Sequence, residues 1–339
     1  MKAFPIEINW NPDLPIFARE QFLKAVSDDY GWLGGFDEAG NLRCFLPYTI
    51  IKKGFLRLAR FRVETIFIGE VINLIEEKSF LNSVVQYLRL QKADVIIPPT
   101  TNCIFRTYPD GAVAAPYGSY IIDLSLPEEI LWKNIERITR QNIKRAIKIG
   151  ITIEKEDNNL EPIYNLIRNT FKRSRLPFMD FASFVRYVKG LGEYGLILKA
   201  MLAGSLQSCV LFAFSNYCSY AVYAGNAPEL APGANKLLYW EAIRYFKSLG
   251  IKKYDFVGAR INPEKGSKQE ALSIFKKHFG GKLIQGFIWK YALNGFKYHL
   301  YQIAARIRSG GDLVDAEKHK LRVDQIQMEN LTEKDNRTV

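Results

Sequence analysis

The run YDFVGARINPEKGSKQEALSIFKKHFGG, from Tyr254 to Gly281, places a hydrophobic strand ending at Gly258 ahead of a loop and helix crowded with lysine. Packing accounts for the strand and for Phe275 and Phe279, but not for the lysines. Between Lys252 and Arg308 stand 12 basic and 3 acidic residues, so this stretch carries +9 of a net charge of +12. Such a field concentrates phosphate-bearing partners such as nucleotides, RNA or lipid head groups. A second site for phosphate is offered by Pro232-Gly233-Ala234-Asn235-Lys236, which opens a helix after a strand and a loop. Free backbone N–H groups and the positive end of the helix dipole meet there. The third concentration is Asp123–Gly150, read as one linking helix with a Ser125-x-x-Glu128 start and a Gly150 stop. Leu131, Ile135, Ile138 and Ile143 form its apolar stripe. Arg140, Lys144 and Arg145 lie on the opposite face, which is either solvated or in contact with a phosphate backbone.

Several chemistries are refused. The three histidines, His278, His299 and His319, have no ligand partner at i+4, and the four cysteines have no C-x-x-C spacing. No metal site is expected, and the cysteines read as reduced core residues of a cytoplasmic protein. There is no G-x-S-x-G elbow, Walker loop or strand-linked G-x-G-x-x-G. Met1–Phe17 lacks the apolar core of a secretory signal. Ala200–Pro228 has no charged residue, yet Ala203-Gly204-Ser205 and Ser215-Asn216 divide it into strand-length pieces, so buried strands are expected instead of a membrane span.

The elements that must carry these residues alternate between strand and helix. Helices are expected over Phe17–Ser27, Phe80–Gln91, Leu160–Lys172, Phe181–Lys189 and Asn235–Leu249. Strands are expected over Trp32–Phe36, Leu42–Tyr48, Arg62–Ile68, Asp94–Ile97, Tyr194–Ala200, Leu206–Phe214, Tyr217–Ala224, Lys253–Val257 and Leu283–Tyr291. Tyr220–Val257 is a β-α-β unit, which requires parallel strands. The same order of elements recurs in both halves, and 339 residues exceed one ordinary core. The expected domains are 1–122, 123–311 (linking helix included) and a charged polar tail, 312–339.

Two long segments carry a resemblance. YAVYAGNAPELAPGANKLLYWEAIRYFKSLGIKKYDFVGA with SIFKKHFGG is similar to the second acetyltransferase-like domain of the Fem family of nonribosomal peptidyltransferases. YIIDLSLPEEILWKNIERITRQNIKRAIKIG and LIRNTFKRSRLPF resemble the middle of the same family. The resemblance covers about Tyr120–Tyr291. It implies an α/β fold of two tandem acetyltransferase-like domains, each a mixed, mostly antiparallel sheet flanked by helices. It also implies amide formation, with aminoacyl-tRNA as donor and a peptide amine of a peptidoglycan precursor as acceptor, and no other cofactor.

On that resemblance Lys276 is the functional lysine, holding an oxyanion or a substrate phosphate, and Arg175 meets phosphates of the acceptor. Tyr223 is read as a wall of the acceptor channel, and Asp123 is the one acid nominated to take the proton. Asp255 is read as structural. Gly233, Asn235 and Lys236 bind substrate, and Arg140, Lys144 and Arg145 contact tRNA. The family's N-terminal Trp-x-x-x-Lys element is missing, although Gln21 is kept. A lipid-linked precursor is therefore expected over a soluble nucleotide, with a monomer touching the membrane through Lys290, Lys297, Arg306 and Arg308. Two other readings stand beside this one. The first is an N-acyltransferase using coenzyme A or a carrier protein, although the usual Q/R-x-x-G-x-G/A loop is matched poorly. The second is a non-catalytic nucleotide or RNA clamp.

Overall fold

In the computed structural model the described residues are 1–321 apart from Asp157. The first half runs β1 (Lys2–Ile6), α1 (Glu20–Ala25), β2 (Asp29–Phe36), β3 (Leu42–Lys53), β4 (Leu56–Phe61), β5 (Ile66–Phe67), α2 (Leu74–Leu90) and β6 (Val95–Ile96). Then follow β7 (Val113–Asp123), α3 (Glu128–Asn134), α4 (Arg137–Lys148), β8 (Thr152–Lys155), α5 (Leu160–Arg173) and α6 (Phe181–Leu191). The chain continues with β9 (Gly195–Leu202), β10 (Ser205–Phe214), β11 (Ser219–Asn226), α7 (Ala234–Ser248) and β12 (Lys253–Asp255). It closes with α8 (Lys268–His278), β13 (Lys282–Ala292) and α9 (Gly295–Ser309).

Each half contains the same unit, two parallel strands joined by a crossover helix. In the first, β4 pairs with β6 around α2; in the second, β11 pairs with β12 around α7. The remaining pairings are antiparallel, and the strands form one path, β1-β2-β3-β4-β6-β13-β7-β12-β11-β10-β9-β8, with β5 beside β3. β13 joins the halves. Lys282–Lys290 pair with β7, and Tyr291 and Ala292 pair with β6. The uncharged Ala200–Pro228 stretch is β10, β11 and the end of β9; β10 is buried along nearly its whole length. Among the described residues no helix is long and apolar enough to cross a membrane.

Local chemistry explains the helices. Asn73 and Glu76 form a reciprocal capping box on α2, which buries Phe80, Leu81, Val84, Val85 and Leu88. α7 buries Leu237, Leu238, Trp240, Ala242, Ile243 and Phe246 against the second half of the sheet. Each such large side chain contributes about 1.5–3 kcal/mol.

Three expectations are corrected. The linking segment is two helices, because the Glu136 amide donates to His278 O (2.8 Å) instead of to its own preceding turn. Ser125 does not cap α3; its hydroxyl donates to Asp123 Oδ1 (2.6 Å), and Ile138 points to solvent instead of into the stripe. The strand expected over Arg62–Ile68 is reduced to Ile66–Phe67, because β4 lies earlier in the chain and ends at Phe61. Thr100 Oγ1 and Asn102 Nδ2 donate to Arg62 O in place of a ladder partner (3.2 and 2.8 Å). The tail begins as a helix over 313–321, seated by buried Val314 and by Glu317 on Arg260 (2.6 Å); residues 322–339 lie outside the described residues.

Gly233, the residue before α7, has φ +82° and packs on α4; a Cβ there would overlap the Asn142 carbonyl and lie 3.1 Å from Ala146 Cβ. Gly233→Ala should therefore destabilise the protein by about 2–3 kcal/mol in urea denaturation. A change within a few tenths would show that α4 does not seat on this residue.

Candidate active site

β11 and β12 are paired only at Ser219↔Tyr254 and Tyr220↔Asp255. β11 continues to Asn226, while the chain after Asp255 turns away through Val257 (φ 55°) and Gly258 (φ 66°). The two parallel strands therefore part at their C-terminal ends, where ligands bind in open α/β sheets. A β-branched residue seldom adopts this left-handed backbone, so the turn must be held from outside. Asp255 Oδ1 accepts the Val257 N–H (2.7 Å), and Lys276 Nζ donates to Val257 O (2.8 Å) and to Gly258 O.

Lys276 reaches this turn from α8, whose first turn is capped by Ser267 on the Glu270 amide (3.2 Å). It is buried, with 9% of its surface exposed, and is not the solvent-facing helix lysine that its spacing would ordinarily suggest. Burial pulls its ammonium down to about 8, partly offset by the charge of Asp255. Asp255 is itself pushed up to about 6 by burial, against the hydrogen bonds it accepts from the Ser119 hydroxyl and the Val257 amide. An ammonium has three N–H donors, and two are accounted for. The third has no hydrogen-bond partner among the described residues.

The first half supplies groups the sequence reading passed over. Val63 and Ile66 share a core with Tyr187, Tyr223 and Val257, which fixes the segment Arg60–Ile66 against the second half. Arg62 is only 7% exposed; its Nη2 donates to Val26 O (3.1 Å) and its Nε to Thr49 Oγ1 (3.4 Å). Arg60 Nε donates to Pro98 O (3.0 Å). Neither guanidinium has a carboxylate partner among the described residues. Burial, with repulsion from Arg60, lowers Arg62 to about 10. Two like charges, Arg62 buried and Arg60 half-buried, without an anion suit an anionic group of a ligand. Glu64, half-buried, is raised to about 7 by burial and by the neighbouring Asp255. The alternation Arg60-x-Arg62-x-Glu64 around Phe61 and Val63 is the signal that could have exposed them: charges at every second position of an apolar strand end.

The residues nominated from sequence divide. Tyr223 is half-buried in an aromatic box with Phe178 (5.2 Å), Tyr187 (5.5 Å) and Phe171 (6.1 Å). Asn235 and Lys236 lie in the first turn of α7, at the same edge as the parted strands, and burial lowers the Lys236 ammonium. Arg175 is exposed just past α5; its neighbour Ser174 contacts Lys268, roughly 12 Å along α8 from Lys276. Lys144 and Arg145 are exposed on α4.

Three nominations do not fit the geometry. Asp123 pairs with Lys253 at the far end of β12 from Lys276, and its exposed carboxylate is engaged by the Ser125 amide (3.0 Å) and hydroxyl. Gly233 gives its open side to α4, not to a ligand. Arg140 is spent on α3, donating to the carbonyls of Lys133 (2.8 Å), Trp132 (3.3 Å) and Ile135.

With this geometry in hand, residues 133–266 match the model of the acetyltransferase (GNAT) domain. The chain is similar in structure to FemX, with a TM-score of 0.63, 16% identity, and 85% of this chain and 93% of that one covered. It is also similar to the C-terminal domain of a putative lysylphosphatidylglycerol synthetase from Agrobacterium fabrum (TM-score 0.53, 13% identity, 88% and 96% covered). A third similarity is to L-PGS from Bacillus licheniformis (TM-score 0.51, 12% identity, 86% and 91% covered). No curated protein matches. The chain thus has a fold like that of FemX, with an acetyltransferase (GNAT) domain matched over residues 133–266, as its motifs implied.

The raised Glu64 carboxyl has a consequence for stability. Between its ordinary value of 4.5 and about 7 the folded chain holds a proton that the unfolded chain has released. Stability from this group therefore falls as pH rises through that window, by up to about 3 kcal/mol. Glu64→Gln should flatten that part of the Tm–pH curve. A variant curve parallel to the parent's would show that Glu64 is not desolvated.

Proposed function

We propose that the protein is an aminoacyltransferase that forms an amide bond, taking its acyl group from aminoacyl-tRNA and giving it to a peptide amine of a peptidoglycan precursor. The observation that carries this reading is Lys276, a buried ammonium with one uncommitted N–H, fixed at the parted ends of β11 and β12. In the reaction the acceptor amine attacks the ester carbonyl of the donor. The new C–N bond forms, the ester C–O bond breaks, and the tRNA hydroxyl leaves. Lys276 faces the carbonyl oxygen as it becomes an oxyanion, where a preorganised donor is most effective. The proton lost by the amine goes to Glu64, whose value of about 7 suits a general base at neutral pH, and passes from there to the departing tRNA oxygen, which leaves as the hydroxyl. Arg60 and Arg62 hold an anionic group of the acceptor, with Tyr187 and Tyr223 beside them.

The Asn142 carbonyl lies against Gly233 at the start of α7, and an oxygen there opposes a pyrophosphate, which supports tRNA over coenzyme A as donor. One of the structurally similar proteins is named as a domain of a putative lysylphosphatidylglycerol synthetase, which supports an aminoacyl donor and a lipid-linked acceptor.

Lys276→Met keeps the aliphatic stem and removes the charge. Its single-turnover rate should fall by about 10²–10³-fold with the fold intact by circular dichroism. An unchanged rate would remove Lys276 from the reaction.

Binding of charged tRNA should weaken with salt, log affinity falling by about 0.7–0.9 per unit of log salt for each phosphate neutralised. Lys144→Glu with Arg145→Glu should lower that slope by roughly two contacts' worth. A slope identical to the parent's would place the tRNA elsewhere.

A further inference from the structure

Helix α9 turns its apolar face outward. Its sequence, GFKYHLYQIAARIRS, contains no acid, and Phe296, Leu300, Ile303 and Ile307 fall on one stripe at i, i+4, i+7 and i+11. Phe296 is 73% exposed, Ile303 42% and Ile307 83%. The inward side carries polar groups instead: the Tyr301 hydroxyl donates to Asp312 (3.0 Å), and Lys297 pairs with Asp94 (2.9 Å). A surface helix ordinarily does the reverse.

The tip of the β3–β4 hairpin continues this surface. Lys297 Nζ lies 3.4 Å from Phe55 O, and Lys53 feels the charge of Arg308 at the other end of α9. Phe55 is 66% exposed, and Lys52, Lys53, Arg306 and Arg308 are exposed around the stripe without a carboxylate partner among the described residues. The nearest acid that the hydrogen bonds show is Asp28, which accepts the Lys52 amide (2.7 Å). Two cations nominated from sequence drop out, because Lys297 is paired with Asp94 and Lys290 is fully buried between Asp312 (2.8 Å) and Asp315 (2.6 Å).

We propose that α9 and the β3–β4 tip seat the protein on an anionic lipid bilayer. Phe55, Phe296, Ile303 and Ile307 would enter the head-group region, and the four cations would meet the lipid phosphates. The most exposed of the four, Ile307, is aliphatic and gives nucleic acid bases nothing to stack on, which favours a bilayer over RNA here. A second copy of the chain would bring these cations against one another across a two-fold axis, and four apolar side chains fall short of the roughly 800 Å² a partner contributes to a stable dimer.

The proposal is tested without donor or acceptor. The full chain is sedimented with vesicles of phosphatidylcholine, alone or mixed with phosphatidylglycerol. Partitioning should be at least about tenfold stronger on the anionic vesicles. It should be lost in Ile307→Ser with Phe296→Ser, and separately in Arg306→Glu with Arg308→Glu. The proposal is overturned if the parent ignores anionic vesicles or if both variants bind as the parent does. It is overturned equally if these substitutions instead dissolve a dimer seen in analytical ultracentrifugation, or abolish RNA binding in a protein that never binds vesicles.

Discussion

The contact between the Lys276 ammonium and the carbonyls of Val257 and Gly258 fixes the turn at which the parallel strands of the second half part. Burying an ammonium costs several kcal/mol unless carbonyls and a nearby carboxylate replace its water. Here both do, and the arrangement fixes two things at once. It stabilises a left-handed turn at a β-branched residue, which is what ends the pairing of β12 with β11. It also holds a cation where those strands part. Structural need and chemical use coincide in one side chain, and Asp255, with Ser119 and the Val257 amide on its carboxylate, completes the support.

Across from this turn the first half contributes Arg60, Arg62 and Glu64 because the chain leaves the sheet after Phe61. The departure is enforced by Thr100 and Asn102, which occupy the Arg62 carbonyl. β13 then holds the two halves in register by pairing with both β7 and β6. The duplication of β4-α2-β6 as β11-α7-β12 gives two similar units, and the second places Lys276 at the parting of its parallel strands.

Much of this was legible in the sequence. The β-α-β unit and the uncharged run as strands follow from periodicity and breakers, and the motif FKKHFGG contains the lysine that holds the Val257 turn. What escaped reading depended on distant partners. The linking helix breaks at Glu136 because its amide finds the end of α8, which no local pattern announces. Asp123 and Asp255 look alike as acids on strands. Register alone puts the first in solvent beside Ser125 and the second, buried, beside Lys276. Gly233 reads equally as a phosphate loop or as a packing contact until α4 is seen against it. Arg62 and Glu64 were hidden inside an alternation that resembles an ordinary strand.

The central claim, that Lys276 and the cleft it faces serve aminoacyl transfer, is tested most directly by offering the purified protein two donors. Aminoacyl-tRNA and acyl-coenzyme A are incubated separately with lipid-linked and soluble peptidoglycan precursors, and the products are read by mass. The account predicts an acceptor heavier by one aminoacyl residue, formed from tRNA and favoured with the lipid-linked precursor. Transfer from coenzyme A and never from tRNA would contradict it.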